Sequence, residues 1–280
     1  MGQALAYSWS LPPVTVRFRI SVASDRGLVR QVNEDSFLAI PPIFVVADGM
    51  GGHAFGDRAS QLTARVLHNE LGTELPLRPA AVLSAVHEAN ARVQQIDENE
   101  FAGTTLAGVA LVRDTDDARP HWMAFNVGDS RIYLWNDRQL TQLSVDHSAV
   151  QELVDGGVIT ALEASQHPDR NIVTRAIGVG DDVDPDLWFL PAGGSQTFMI
   201  CSDGLTKELD DEAIRALLVV EGDDLSPADR LVAAALAAGG IDNVTVVVVE
   251  SELVDDDPAA GVDAIPERLE ETLPRVGEPR

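Results

Sequence analysis

Asp48, Asp203 and Asp242 are the residues whose types and settings best suit chemistry in this chain. Asp48 follows the apolar run 43–47 and precedes Gly49, Asp203 follows the run 197–202 and precedes Gly204, and Asp242 opens the run 243–249. Hard divalent cations such as Mg2+ and Mn2+ bind oxygen and need only a few carboxylates, provided these sit on rigid supports. The ends of strands are such supports. An adjacent glycine lets the chain turn sharply and lets an ion or substrate approach the main chain. A lone Asp-Gly pair after a strand more commonly marks a turn, so the inference rests on the recurrence. Two other tempting positions have structural readings. His147 beside Asp146 looks like a dyad, but neighbouring side chains on extended backbone point apart. Arg175 is as well suited to anchoring its own loop as to touching a ligand.

The elements that must position these residues follow from hydrophobic periodicity. Val14, Val16, Phe18 and Ile20 alternate with polar residues as in a half-buried strand. The short β-branched run ending at Asp48 reads as a core strand. After Asp57, the residues Ala59, Leu62, Thr63, Val66, Leu67 and Leu71 recur at helical spacing, and a second helix after Pro79 carries Val82, Val86, Ala89, Val93 and Ile96. Strands are expected at 104–112, 121–127, 131–136 and 139–143, joined by short connections that imply antiparallel pairing. A helical piece from Ser148 leads to Gly156 and Gly157, followed by an aperiodic flap to about Val173. A strand at 197–203, helices near 210–219 and 226–238 and a last strand at 243–250 complete the pattern. Strands and helices come in clusters rather than in βαβ alternation, so the fold expected is α+β: two antiparallel sheets packed as a central sandwich with helices on both sides. Residues 1–13 read as a loose lead-in, 14–253 as one domain, and 254–280 as a charged, proline-bearing, largely disordered tail.

Composition narrows the classes of function. Against 20 Lys and Arg stand 45 Asp and Glu, a formal charge of -25, which repels nucleic-acid phosphates and anionic lipid. Such a surplus also calls for bound cations. Cys201 is the single cysteine, so neither an intramolecular disulfide nor a thiolate zinc cage is available, and a reducing, cytoplasmic setting is expected. No stretch reaches the roughly 18 apolar residues of a membrane span, and the first residues show no basic start before a hydrophobic run.

The segments RQVNEDSF (30–37), VVADGMGGHAFGDRAS (45–60), GTTL (103–106), NVGDSRIYL (126–134), DHS (146–148), NIVTRAIG (171–178), ICSDGL (200–205) and DNVTVVVV (242–249) together resemble the ordered motif series of the bacterial type 2C, metal-dependent Ser/Thr protein phosphatases. The resemblance covers about residues 15–252. It implies Mn2+ or Mg2+ as cofactor: two ions bridged by Asp48, with Asp203 and Asp242 completing the first and the Gly49 carbonyl serving the second. Glu34 and Asp35 would hold metal-bound waters. Asp129 would join Asp203 at a third, weaker site, and Arg30 would grip the substrate phosphate. The implied reaction is direct hydrolysis of phosphoserine and phosphothreonine in proteins by a metal-bridging hydroxide, with Arg30 as a two-pronged donor to the phosphoryl group. One departure stands out. Eukaryotic relatives place a histidine directly after the Asp-Gly pair, whereas this chain has Met50, and His53 is the nearest candidate proton donor.

Neither a C-x5-R cysteine-phosphatase loop nor a G-x4-GK-[ST] nucleotide loop occurs. The main alternative is a catalytically weak phosphoprotein-binding regulator on the same fold. Against it, every matched carboxylate is present. A calcium-binding protein is disfavoured because no EF-hand loop occurs and the acids are dispersed. A monomer acting on phosphorylated proteins, in partnership with a Ser/Thr kinase and its targets, is expected.

Overall fold

The computed structural model describes residues 5–51, 55–72, 77–96, 102–115, 119–136, 139–220 and 224–256. Among them run β1 (Leu5–Leu11), β2 (Val14–Asp25), β3 (Asp35–Ile40), β4 (Ile43–Gly51), α1 (Phe55–Leu71), α2 (Pro79–Val93), β5 (Ala102–Thr104), β6 (Leu106–Val112), β7 (His121–Val127) and β8 (Arg131–Trp135). There follow β9 (Leu140–Gln142), α3 (Ala149–Asp155), α4 (Ala161–Ala164), β10 (Asp186–Pro191), β11 (Gly194–Cys201), α5 (Asp203–Thr206), α6 (Asp211–Leu218), α7 (Pro227–Ala238) and β12 (Val244–Asp255). One sheet has the order β1-β2-β12-β11-β8-β9. The other has the order β10-β7-β6-β4-β3, with β5 also paired to β4, and the pairings within both are antiparallel.

The central strands carry apolar residues on both faces, and their period of two divides them between separate cores. In β4, Phe44 and Val46 enter the space between the sheets, while Ile43 and Val45 meet α1 and α2. In β12, Val247 and Val249 join the same central core, while Val244, Val246 and Val248 meet α6 and α7. Strands buried on both faces require cover on both sides, which produces four layers: helices, sheet, sheet, helices. Trp122 fills the centre, with its ring centroid 4.8 Å from that of Phe198 and 6.1 Å from that of Phe18.

Local signals set the helix ends. Pro227 begins α7 behind the N-cap Ser226, whose hydroxyl accepts from the Asp229 amide, and Gly239 ends it. Asp210 caps α6 through the Ala213 amide at 2.8 Å. The stretch read as an aperiodic flap holds one more capped turn, α4, in which Thr160 and Glu163 form a reciprocal capping box.

Four boundaries differ from expectation. Residues 5–11, expected within a loose lead-in, form β1: Tyr7 and Trp9 pack on the central core and Trp9 meets Phe18 edge-on at 5.8 Å, so Pro12 and Pro13 make a hairpin connection instead of ending a leader. β12 runs past residue 253 to Asp255, which pairs with Val14. Asp203 begins α5 instead of ending a strand, and Asp48 lies inside β4, paired with Asp35, because β4 continues through Gly51. The proposed tail from residue 257 and His53 lie outside the described residues. Among the described residues no helix is long and apolar enough to cross a membrane.

Because Trp122 is fully buried among aromatic rings, Trp122→Ala should lower unfolding free energy by about 3–5 kcal/mol in urea denaturation. A loss below about 1 kcal/mol would show that the sheets do not pack through this residue.

Candidate metal centre

Residues 26–34 form a loop laid across the end of β12, and one side chain holds it there. Asn243 donates from Nδ2 to the carbonyls of Arg26 (2.8 Å) and Val32 (2.9 Å), and its Oδ1 accepts from the Glu34 amide at 2.9 Å. Gly27, at φ +78°, fits where an added Cβ would lie 2.2 Å from the Asp242 carbonyl oxygen, so no other residue suits this position. The bracket brings Arg30 over Asp242: its Nε lies 2.9 Å from Oδ1 and its Nη2 donates to Oδ2 at 3.1 Å.

Asp48 is held through its backbone, which leaves its carboxylate available. Its amide donates to Thr105 Oγ1 at 2.9 Å, and its carbonyl accepts from the Thr105 amide and the Thr104 hydroxyl, both at 2.9 Å. Thr105 Oγ1 lies 2.7 Å from Ser130 Oγ, tying Asp48 to the turn that carries Asp129. On the other side, the Gly49 amide donates to the Glu34 carbonyl at 3.1 Å. A Cβ on Gly49 would fall 2.2 Å from the Gly56 oxygen and 2.6 Å from that of Glu34, so α1, β4 and the 26–34 loop meet here through bare main chain.

Asp35 receives the Ser202 hydroxyl on Oδ2 at 2.8 Å, and the same hydroxyl accepts from the Thr245 amide at 2.9 Å. Asp129 follows Gly128, whose amide donates to His147 Nδ1 at 3.0 Å. His147 therefore supports the Asp129 turn and has its Nε2 3.3 Å from Asp186, while Asp146 forms a bidentate pair with Arg131, so the sequence neighbours make no dyad. Arg175 is held by Asp186 at 2.7 Å and by the Asp184 carbonyl, in an anchoring role.

Asp35, Asp48, Asp129, Asp203 and Asp242 thus gather with Glu34 around two cationic side chains, Arg30 and Lys207. Lys207 was not apparent from the sequence. It caps the C-terminus of α5, four residues after Asp203, so the spacing is informative only once this segment is read as helix. Its Nζ lies 2.5 Å from Asp203 Oδ2 and 3.0 Å from Asp242 Oδ2. Asn243, Thr105 and Ser202 fall within the quoted motifs, but no role is read for them there, and the site depends on them as well.

The carboxylates strain against one another. Burial, then Asp35, Asp203, Asp129 and Asp242, holds Asp48 well above the usual carboxylate range. Burial pushes Asp35 up to about 7, helped by Asp203 and Asp242, and pushes Asp129 up to about 7, helped by Asp203 and Asp146. Asp203 is also raised, burial outweighing Lys207. Asp242 is the exception: burial opposes its charge, but Lys207, the Asn243 amide and Arg30 outweigh it and hold the carboxyl below the usual range.

The donor set fits hard divalent cations. It is all oxygen, mutually repelling, and retains two buried carboxylate oxygens without a hydrogen-bond partner, Asp35 Oδ1 and Asp203 Oδ1. As the side chains stand, no three Asp, Glu, His or Cys among the described residues converge closely enough to hold an ion, and Lys207 and Arg30 engage Asp203 and Asp242.

Carboxyls whose folded pKa is raised bind more protons folded than unfolded between about pH 4 and 7, so their contribution to stability is present at low pH and lost as pH rises through about 7. Metal-free protein should therefore melt at lower temperature at pH 8 than at pH 6. Millimolar Mn2+ should remove most of that difference, as scanning fluorimetry would show. A metal-free melting temperature that rises between pH 6 and 8 would contradict the cluster's electrostatics.

The family model for protein phosphatase 2C matches residues 29–222. The chain is 40% identical over 249 residues to the serine/threonine protein phosphatase PstP of Mycobacterium tuberculosis, covering 87% of this chain but only 46% of that protein. It thus spans about half the length of that relative. It is 35% identical over 244 residues to the serine/threonine phosphatase stp of Listeria monocytogenes, covering 82% of this chain and 94% of that one. The crystal structure of the PstP catalytic domain in complex with two manganese ions superposes with a TM-score of 0.74 at 38% identity, covering 86% of this chain and all of that one. Its ordered motifs, layered sheets and aspartate cluster agree with this likeness, and the chain belongs to the protein phosphatase 2C family.

Proposed function

We propose that the chain is a metal-dependent phosphatase that hydrolyses phosphoserine and phosphothreonine in proteins, a cytoplasmic monomer opposing a Ser/Thr kinase on shared targets. The observation that carries the chemistry is the Asp48 carboxylate, left unbonded among the described residues while three hydrogen bonds hold its main chain, and surrounded by acids whose burial and repulsion call for positive charge. The names of the relatives support the substrate class, the net charge of -25 disfavours nucleic acid, and a lone buried cysteine suits a reducing compartment.

In this reading Asp48, Asp203 and Asp242, with the Gly49 carbonyl, would hold two ions. Glu34 and Asp35 would order their waters, and Asp129 would belong to a third, weaker position. When bound, a pair of divalent cations activates water near neutral pH and offsets charge on the phosphoryl oxygens. The protein's own contribution is positioning. Arg30 sits at the exposed rim, with Asp242, Glu34 and Asp48 outweighing burial to keep it charged, and its Nε and Nη2 form a fork suited to two phosphate oxygens. Substrate must take that fork from Asp242. The leaving alkoxide needs a proton, and His53 is the residue we put forward to supply it.

Asp48→Asn and Asp203→Asn should each abolish Mn2+-dependent hydrolysis of a phosphothreonine peptide and weaken Mn2+ binding, with the circular dichroism spectrum unchanged. Retention of most activity in either variant would remove the metal assignment. Arg30→Ala should raise KM with a smaller effect on Mn2+ affinity, and an unchanged KM would remove Arg30 from phosphate binding.

A further inference from the structure

Two of the acids assigned to the metal already have a cation, and it is covalently part of the chain. Lys207 Nζ lies 2.5 Å from Asp203 Oδ2 and 3.0 Å from Asp242 Oδ2, bridging carboxylates that come from different elements. Its place is fixed from below. Ser202 precedes α5, Gly204 packs so closely on β12 that a Cβ would lie 2.0 Å from the Asn243 oxygen, and one helical turn carries the lysine back over Asp203. The Lys207 amide donates to the Asp203 carbonyl at 2.8 Å, which closes that turn. The charge of the ammonium also favours the ionised carboxyl of Asp129. Its side chain keeps 26% of its exposure, so an outward path to solvent exists.

We infer that Lys207 is a tethered counter-ion that occupies Asp203 and Asp242 in the metal-free protein and must yield them when a divalent cation binds. The inference rests on the metal reading of these aspartates and adds a positioning residue to it. One ammonium cannot neutralise Asp48, Asp35 and Asp129 as well, which is why the site still favours a divalent ion. The lysine therefore weakens metal binding without replacing it. It also keeps Asp203 and Asp242 together before the metal arrives, a role that a merely packed lysine would not have. The positive charge beside Asp129 and Asp203 further disfavours a third ion at that corner.

The test is Mn2+ binding by isothermal titration calorimetry to metal-free wild type, Lys207→Met, Lys207→Gln and Lys207→Arg, together with the metal-free melting temperature. Lys207→Met and Lys207→Gln should bind Mn2+ more tightly by on the order of tenfold, because a competing charge is gone. They should also melt at lower temperature without metal. Lys207→Arg should stay close to wild type in both respects. Having two neutral variants guards against one failing to fold. Unchanged or weaker Mn2+ affinity in the neutral variants would overturn the counter-ion role alone, since a structural lysine would loosen the site. Absence of Mn2+ binding in every form, wild type included, would overturn the counter-ion role together with the metal reading on which it rests.

Discussion

Burial and the charges of Asp35, Asp203, Asp129 and Asp242 all disfavour a charged Asp48 carboxylate, and the rest of the structure is arranged around that repulsion. Two side-chain cations, Arg30 and Lys207, meet part of the deficit and leave most of it. A divalent ion answers the remainder more compactly than further lysines would, because one ion can face several carboxylates at once. Without such an ion the site remains intact only at the cost of protons taken up on Asp35 and Asp129 or of charges held together against their mutual repulsion.

The scaffold meets this demand by spending neutral hydrogen bonds on the backbone. Thr104 and Thr105 grip Asp48 through its amide and carbonyl, Asn243 grips the loop of Arg30 at both ends, and Ser202 links Asp35 to β12. Thr104 and Thr105 hold the main chain that carries the Asp48 carboxylate, Ser202 orients that of Asp35, and Asn243 positions the loop of Arg30, all without adding charge. These clamps come from β5 and from residues flanking β6, β11 and β12, strands of both sheets, so the site sits where the two layers of the sandwich meet. The aromatic packing of Trp122, Phe198 and Phe18 sets the spacing of those layers, and in this way a core remote from the acids contributes to their geometry.

Much of this was legible beforehand, for identifiable reasons. The period of two in β2 and the paired glycines after Asp48 and Asp203 are local signals, and they placed the strands and the acids. The αββα layering followed from clustered strands and amphipathic helices. What was missed depended on context that a linear pattern does not contain. Tyr7 and Trp9 look like part of a loose lead-in until β2 supplies a partner, and Asp203 looks like a strand end because its helix is a single turn. Lys207 is informative only on that turn. Asn243 resembles the start of a valine strand, although its side chain reaches across to residues 26–34.

Membership of the protein phosphatase 2C family and the electrostatics of the cluster point to the same chemistry by independent routes, one through ordered motifs and the other through unpartnered charge. Their point of agreement is the Asp48 carboxylate. The most direct measurement is anomalous X-ray scattering at the manganese edge from crystals equilibrated with Mn2+. Peaks against the Asp48 carboxylate, with Asp203 and Asp242 turned toward the metal and Lys207 displaced from them, are the predicted result. Manganese bound only elsewhere on the acidic surface, or absent while Lys207 keeps its place between Asp203 and Asp242, would contradict it.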